Sequence, residues 1–281
     1  MRFEKWQALG NDYLILEADR LPWDLSPQRV EWLCDPHFGV GSDGVLLLSR
    51  SEDSEFVAGL RIFNPDGSEA ELSGNGAREA ALYLRRHGWT DEDTFAIGTV
   101  AGPIVPTITG DLTCAVGMGR ASTTSRDFPS GGEDGKGTLN AAGRDWQFQH
   151  VSIGNPQCAI VVGEELEGLD LSEIGPEVEG HELFPNRTNV SFLAIDGSRV
   201  RARIFERGVG ETLSSGTGAS GAAVTAFLRG AASPIVVELE GGELEVEVGE
   251  DLAVRLGGWA EPVYTGELSP ELLTALAELA G

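Results

Sequence analysis

Short runs of apolar residues, separated by glycine, proline and charged residues, recur along most of the chain. Runs of this kind, bounded by turn-forming residues, indicate β-strands. In the first part of the chain they include DYLILEA, GVLLLS, LRIF and TITGDLTCAV. Later they include WQFQHVSI, CAIVV, NVSFLAI, VRARIF, PIVVELE, ELEVEV and LAVRLGG. The pattern therefore predicts a protein in which strands dominate.

A few segments carry the signs of helices instead. Two helices are expected at about 77–87 and 219–229, each followed by a glycine, as helix C-termini commonly are. The segments 26–35 and 269–280 both begin with Ser-Pro, which suits the first residues of a helix. The last helix is expected to pack on the first half, because it follows the final strand directly. The stretch SGGEDGKGTLNAAG (130–143) is expected to be a flexible loop.

The chain also repeats itself. RIFNPDGSEAELSGNGA at 61–77 and RIFERGVGETLSSGTGA at 203–219 share their first three residues, a glutamate and a closing Ser-Gly-x-Gly-Ala, at an offset of 142. Upstream, Gly-Asn at 10–11 recurs at 154–155, at an offset of 144. Two similarities in the same order at nearly the same offset indicate two homologous halves.

The predicted fold is α+β, with two pseudo-symmetric halves. One half is residues 1–117 plus 263–281, and the other is residues 118–262. Each is expected to be a curved, mostly antiparallel sheet around a central helix. Because such halves commonly face each other, we expect a ligand cleft between them.

Composition narrows the range of functions. The 281 residues carry a formal net charge of −25, which argues against nucleic acid as a partner. No apolar run approaches the roughly 18 residues of a membrane span. The N-terminus does not resemble a secretory signal, so the cytoplasm is the expected location.

Cofactor and metal chemistry finds little support in the residue types. Lys5 and Lys136 are the lysines of the chain, and neither suits the buried Schiff-base lysine of a pyridoxal phosphate enzyme. Cys34, Cys114 and Cys158 are far apart and lack CxxC spacing, so no disulfide framework or zinc site is implied. The four histidines show no metal-ligand spacing. We therefore expect neither a cofactor nor a metal.

The repeated element Ser-Gly-x-Gly-Ala can bind an anion. A helix N-terminus offers unpaired N–H groups and the positive end of a dipole, and glycine allows close approach to the backbone. Each serine could instead be an ordinary N-cap. One copy in each half favours a carboxylate held by two helix N-termini, with Ser73 and Ser215 approaching from opposite sides. Inversion of a carbon centre needs such a pair, a base on one face and an acid on the other.

Seven motifs together resemble those of the diaminopimelate epimerase family. They are GNDY near the start, GVGSDGVLLL (39–48), FNPDGSEAELSGNGAR (63–78), VSIGNPQC (151–158), FPNRTNVSFL (184–193), ERGVGETLSSGTGAS (206–220) and WAEPVYTGEL (259–268). The resemblance runs almost end to end. It implies cofactor-independent epimerisation of LL- to meso-diaminopimelate, in lysine and peptidoglycan biosynthesis, by a homodimer.

The resemblance also implies a set of substrate-binding residues. They are the side chains of Asn11, Asn64, Asn155, Asn189, Glu206 and Arg207 and the backbone around Gly74, Asn75, Gly216 and Thr217. Arg207 can grip a distal carboxylate with two parallel hydrogen bonds. The alternative reading of each asparagine is a turn residue, since asparagine favours turns.

The sequence departs from the family at the proton-transfer positions. In the family, positions 73 and 215 are cysteines acting as a thiolate/thiol pair, and a histidine stands at the position of Gln157. Serine is far less acidic than cysteine and needs a partner to take its proton. The resemblance places Glu206 near the site, but it implies no equivalent group beside Ser73.

Four interpretations remain open. The chain is an engineered Cys→Ser form, a natural variant that still epimerises, a diaminopimelate-binding homologue without activity, or a related isomerase acting on hydroxyproline or another amino acid. The motifs at 184–193 and 206–220 favour diaminopimelate as the ligand. We expect an epimerase with an altered acid/base pair, in which Ser73, Ser215 and Glu206 are catalytic.

Overall fold

The computed structural model describes residues 1–71 and 73–279. The chain forms two compact units, Met1–Val116 with Gly258–Gly281 and Gly117–Gly257. We call them the first and the second unit. Within the described residues, none of the helices is both long and apolar enough to cross a membrane.

The first unit is built on one twisted sheet. Its strands are β1 (Arg2–Ala8), β2 (Asn11–Glu17), β3 (Val45–Arg50), β4 (Ala58–Phe63), β5 (Glu69–Ala70), β6 (Ile97–Thr99), β7 (Gly102–Ile104) and β19 (Glu261–Glu267). The strand order is β19-β1-β2-β3-β4-β6-β7, and β5 pairs with β4. Neighbours are antiparallel except β2–β3 and β4–β6, which are parallel. The segment TITGDLTCAV forms a hairpin of β8 (Thr107–Gly110) and β9 (Thr113–Arg120).

Three α-helices pack within the first unit. They are α1 (Pro27–Cys34), α2 (Gly74–Arg86) and α5 (Pro270–Glu278), and a 3₁₀ turn spans Ala18–Arg20. Helix α2 lies against β1, β2 and β3 and is buried from Asn75 to Leu84. Helix α5 packs against α1, because Leu276 shares a core with Val30 and Leu33. The buried Arg29 also donates a hydrogen bond to the carbonyl of Leu276 over 2.8 Å.

The second unit has a sheet of the same kind. Its strands are β10 (Lys136–Ala141), β11 (Arg144–Ser152), β12 (Pro156–Val161), β13 (Asn189–Asp196), β14 (Arg199–Glu206), β15 (Gly210–Thr212), β16 (Ile235–Leu239), β17 (Gly242–Val248) and β18 (Ala253–Trp259). They pair in the order β10-β11-β12-β13-β14-β16-β17-β18, with β15 on β14. Its helices are α3 (Leu171–Glu179) and α4 (Gly216–Leu228), and a 3₁₀ helix spans Gly163–Gly168.

The two units share one pattern of strand pairing. The parallel pairs β2–β3 and β4–β6 of the first unit correspond to β12–β13 and β14–β16 of the second. Even an ion pair recurs, because Arg61 binds Glu69 through two hydrogen bonds and Arg203 binds Glu211 in the same way. These are the arginine and glutamate of the repeated sequence segment. The mixed fold with two sheet-rich halves is as the sequence predicts, while common descent of the halves stays a prediction.

The second glycine of each repeated motif lies close to a side chain of the sheet. A Cβ atom on Gly76 would lie 2.9 Å from Cδ2 of Leu46, and one on Gly218 would lie 2.6 Å from Cδ1 of Ile204. A larger residue at either position would therefore have to displace the end of that side chain for the helix to keep its distance from the sheet. In α4, the residues from Gly218 to Ala226 are all buried, and the helix packs against β11–β14, β16 and β17.

The loop prediction for 130–143 is wrong over part of its length. Lys136–Ala141 form β10, which pairs with β11 through a tight turn at Ala142 and Gly143. Leu139 and Ala141 alternate with exposed residues and are buried, so this is a half-buried strand with a weak apolar signal. The sequence analysis also missed α3, which contains Pro176 in its interior, a residue that is unfavourable inside a helix.

The three cysteines behave as small apolar residues. Cys34, Cys114 and Cys158 are all buried. Burial raises the pKa of the Cys34 and Cys158 thiols. A raised pKa keeps a thiol protonated and lowers its reactivity, because the thiolate is the nucleophile.

Candidate active site

Ser73 is the N-cap of α2. Its backbone is extended, and its Oγ accepts a hydrogen bond from the N–H of Gly76 over 3.1 Å. The first turn of α2 begins with Gly74 and Asn75, and the N-terminus of a helix is the positive end of its dipole. Ser73 is therefore an ordinary N-cap, and an anion site at the same turn stays a prediction.

A phenol lies beside Ser73. The hydroxyl of Tyr13 donates a hydrogen bond to Ser73 Oγ over 3.2 Å. Tyr13 lies on β2 and is only 6% exposed, whereas Ser73 is half-buried. The sequence analysis placed no proton-transfer partner beside Ser73 and missed Tyr13, although it stands two residues after Asn11 in the GNDY motif.

Buried side chains hold the first turn of α2 in place through hydrogen bonds. Arg78 is fully buried and donates to the carbonyl of Gly74 over 3.1 Å and to Oδ1 of Asn75 over 2.7 Å. The amide of Asn75 in turn donates to Oδ1 of Asn11 over 3.1 Å. Desolvation lowers the pKa of Arg78 to about 10, so the guanidinium keeps its charge at neutral pH. That positive charge adds to the preference of the helix N-terminus for an anion.

The two other asparagines predicted for this unit behave differently from each other. Asn11 lies against Asn75 and donates to Oδ2 of Asp43 over 3.0 Å. Asn64 instead donates from its side chain to Ser68 Oγ over 2.9 Å and from its backbone to the Ser68 carbonyl. The structure thus brings Asn11 to the α2 N-terminus and engages Asn64 in its own turn.

Ser215 is the N-cap of α4 and has a carboxylate partner. Its Oγ accepts from the N–H of Gly218 over 3.2 Å and donates to Oε2 of Glu206 over 3.0 Å. Thr212 donates to the other carboxylate oxygen over 2.9 Å. Burial raises the pKa of Glu206, and the hydrogen bonds from Thr212 and Ser215 oppose that rise. A serine hydroxyl is a weak nucleophile or base by itself and is activated by an adjacent general base.

A second network holds the start of α4. Asn155 donates to Oγ1 of Thr217 over 3.2 Å, and the amide of Gln157 donates to Oδ1 of Asn155 over 2.7 Å. Gln157 is fully buried, and a Cβ on Gly221 would lie 2.9 Å from its Cγ. Gln157 therefore orients Asn155 toward Thr217 beside Gly216, and its amide cannot take up a proton.

Asn189 and Arg207 form one structural pair. Asn189 is 4% exposed, and its amide accepts from the backbone N–H of Arg207 over 2.9 Å and donates to the Pro156 carbonyl over 3.0 Å. The exposed Arg207 donates from Nη1 to the carbonyl of Asn186 over 3.1 Å. The other guanidinium N–H groups of an arginine held in this way can bind a planar anion such as a carboxylate.

The sequence analysis missed a buried carboxylate that binds the loop after β14. Glu179 on α3 accepts from the N–H of Gly208 over 2.7 Å and pairs with Arg187 over 2.8 Å. It lies far from Arg207 in sequence, so no local motif marks it. For metals, the described part of the chain contains no group of three or more His, Cys, Asp and Glu residues that could hold an ion.

Comparison with solved structures defines the class of fold. The protein resembles a structure described as a "predicted epimerase" from Pseudomonas aeruginosa, with a TM-score of 0.69 and 18% sequence identity. The similarity covers 95% of this chain and 98% of that one. At this level of identity, the likeness shows that the two proteins share a fold.

Sequence comparison gives the family. The diaminopimelate epimerase family model matches residues 3–124 and 149–261. "Diaminopimelate epimerase 2" of Nostoc sp. is 40% identical over 279 residues, covering 97% of each chain. "Diaminopimelate epimerase" of Synechococcus sp. is also 40% identical over 279 residues, covering 95% of this chain and 97% of the relative. The chain belongs to the diaminopimelate epimerase family.

Proposed function

We propose that the protein inverts the α-carbon of an amino acid and converts LL- to meso-diaminopimelate, without a cofactor, in lysine and peptidoglycan biosynthesis. Family membership supports the reaction class. The observation that carries the mechanism is the hydrogen bond from Ser215 to Glu206 at the N-terminus of α4. The Glu206 carboxylate can accept the proton of this serine hydroxyl. A cytoplasmic location and a homodimer remain predictions from the sequence.

The hydrogen bonds of the two serines suit them to different roles. A hydroxyl has one proton to donate and two acceptor positions. Ser215 donates to Glu206 and accepts from Gly218, which leaves one acceptor position for a substrate proton. Ser73 accepts from Tyr13 and Gly76, which leaves its own proton to donate. In this state of the protein, Ser215 is prepared as a base and Ser73 as an acid.

The proposed step balances its protons. Ser215 Oγ removes the Cα proton while its own hydroxyl proton passes to the Glu206 carboxylate. Ser73 delivers its hydroxyl proton to the opposite face of the same carbon, and exchange with solvent then replaces that proton and removes the one on Glu206. The N–H groups at the helix N-termini, at Gly74–Asn75 and Gly216–Thr217, stabilise charge that develops on the α-carboxylate. The reverse reaction runs the same transfers backwards.

The remaining residues divide into binding and positioning groups. We assign Arg207 to the distal carboxylate, since it can form a bidentate pair, and Asn11 and Asn155 to the substrate's amino-acid ends. Asn189 supports the backbone of Arg207, so it is a positioning residue. Asn64 is the weakest of the proposed contacts, because its side chain is already engaged with Ser68.

Serine at positions 73 and 215 is expected to make the enzyme slow. A thiol at a helix N-terminus can have its pKa lowered by several units, whereas a serine hydroxyl remains far less acidic. Glu206 offsets part of this difference for Ser215. We therefore propose a natural enzyme with reduced turnover and an altered acid/base pair.

The proposal is tested by incubating purified protein with LL-diaminopimelate and separating the stereoisomers by chromatography. We expect meso-diaminopimelate to accumulate, and Ser215→Ala to abolish its formation while calorimetric binding persists. Binding of LL-diaminopimelate without any product from the wild type would indicate a binding protein. No binding, together with turnover of hydroxyproline, would indicate a related isomerase and contradict the proposed substrate.

A further inference from the structure

We infer that Tyr13 supplies the proton behind Ser73, so that the phenol and the serine act as one acid. This inference rests on the proposed function, in which Ser73 delivers a proton to the substrate carbon. Tyr13 meets no substrate atom in this arrangement. It acts through Ser73, whose Oγ lies 3.2 Å from the phenol oxygen.

The position of the phenol is tightly determined. On one side of β2, Tyr13 pairs with Trp6 of β1. On the other side, the N–H of the next residue, Leu14, donates to the carbonyl of Gly44 over 3.0 Å. A Cβ on Gly44 would lie 2.7 Å from Cε1 of Tyr13 and 2.3 Å from the carbonyl oxygen of Phe63. Glycine at position 44 therefore leaves the space that the Tyr13 ring occupies.

The chemistry explains why a phenol helps. When Ser73 gives up its proton, an isolated serine would become an alkoxide, a very strong base. A phenol ordinarily has a pKa near 10, far below that of an aliphatic hydroxyl. If the Tyr13 proton passes to Ser73 Oγ in the same step, the C–H bond forms, the Tyr13 O–H bond breaks, and the negative charge rests on the phenolate. Solvent then returns the proton to Tyr13.

The two serine sites are thus matched to opposite tasks. Ser215 has a partner that accepts a proton, the Glu206 carboxylate, and Ser73 has one that donates, the Tyr13 phenol. One forward turnover moves a proton from Tyr13 to Glu206, and exchange with solvent resets both groups. In the reverse reaction, the same transfers return a proton from Glu206 to Tyr13.

The test replaces the phenol and then makes it unnecessary. Tyr13→Phe removes only the hydroxyl and keeps the ring against Gly44. We expect kcat for LL-diaminopimelate to fall by about 10²- to 10⁴-fold, the usual range for losing an acid/base group, while calorimetric affinity changes less than about twofold. Tyr83→Phe is the matched control, because Tyr83 is also buried in this unit and donates to Glu17 over 2.8 Å. Its kcat is expected to stay within about twofold of wild type.

Rescue separates proton supply from a structural role. A thiol is acidic enough to act without the phenol, so adding Ser73→Cys to Tyr13→Phe should raise kcat at least about tenfold above Tyr13→Phe alone. Wild-type kcat in Tyr13→Phe, or no rescue by Ser73→Cys, would overturn the inference and leave the proposed function standing. Absence of turnover by the wild-type protein would overturn the proposed function itself.

Discussion

Glu206 accepts a hydrogen bond from the hydroxyl of Ser215 over 3.0 Å. The same carboxylate is held by Thr212 on its other oxygen, so its orientation toward Ser215 is fixed. Serine is a weak base when alone, and this contact gives it a proton acceptor at the N-terminus of a helix. The contact leads to the first two predictions.

Glu206→Gln should remove the base. We expect turnover of LL-diaminopimelate to fall by about 10²- to 10⁴-fold, because the amide cannot accept the Ser215 proton. Burial raises the pKa of Glu206, and the reaction needs its ionised form. Wild-type turnover should therefore fall as the pH drops through a value above the ordinary range of a glutamate. The pH–rate profile measures this, and equal turnover in the Gln variant at neutral pH would contradict it.

The double variant Ser73→Cys with Ser215→Cys should be faster than wild type. Thiols at helix N-termini have lowered pKa values, so each group transfers protons more easily, and we expect kcat to rise by at least about tenfold. Ser269→Cys is the matched control, because Ser269 is also an N-cap whose Oγ accepts from the helix, at Leu272. An unchanged or lower rate in the double variant would show that the serines are not simply weakened cysteines.

Asn189→Ala should loosen Arg207. The change leaves the N–H of Arg207 and the carbonyl of Pro156 without their buried partner. We expect the free energy of unfolding to fall by about 1–3 kcal/mol and KM to rise, with a smaller effect on kcat. Asn140→Ala is the control, because Asn140 makes an exposed hydrogen bond to Asp145 and should cost at most about 0.5 kcal/mol. Unchanged KM in a folded Asn189→Ala protein would show that Asn189 does not position Arg207 for substrate binding.

Glu79→Gln should stabilise the protein at high pH. Glu79 is fully buried in α2, and its carboxyl oxygens have no hydrogen-bond partner among residues 1–71 and 73–279. Burial raises the pKa of Glu79 well above its ordinary value. The folded protein then holds a proton that the unfolded chain has released. Its stability is therefore expected to fall as the pH rises from the unfolded pKa toward the folded one, by up to about 1.4 kcal/mol per pH unit.

Thermal unfolding at several pH values checks this linkage. The melting temperature of Glu79→Gln should exceed that of wild type at pH 8, and the difference should shrink toward pH 5. Glu31→Gln on the exposed face of α1 should shift the melting temperature little at either pH. A difference between Glu79→Gln and wild type that is constant with pH would contradict the account.

Much of the fold could be read from the sequence, because its strands are short apolar runs and its repeat is unusually clear. The missed helix α3 shows what local signals omit. It lies between β12 and β13 just as α1 lies between β2 and β3, so applying the repeat throughout would have predicted it despite Pro176. Strand β10 was missed because its glycine and polar residues outnumber its two buried residues, Leu139 and Ala141.

The candidate site was only half visible in the sequence. Ser73, Ser215 and their glycines stand out because they are repeated. Tyr13 and Glu179 do not, since each reaches its partner through tertiary packing rather than sequence spacing. Gln157 was seen as a departure from the family, but its hydrogen bond to Asn155, two residues earlier in the sequence, was not predicted.

The most direct test of the two-base account is the fate of the Cα proton in D₂O. Purified protein is mixed with LL-diaminopimelate, and substrate and product are analysed by mass spectrometry at early conversion. We predict that meso-diaminopimelate carries one deuterium while the remaining LL-isomer carries none, because the proton leaves to Ser215 and its replacement comes from Ser73 on the other face. Product that retains the original proton, or no meso-diaminopimelate at high enzyme concentration, would contradict the account.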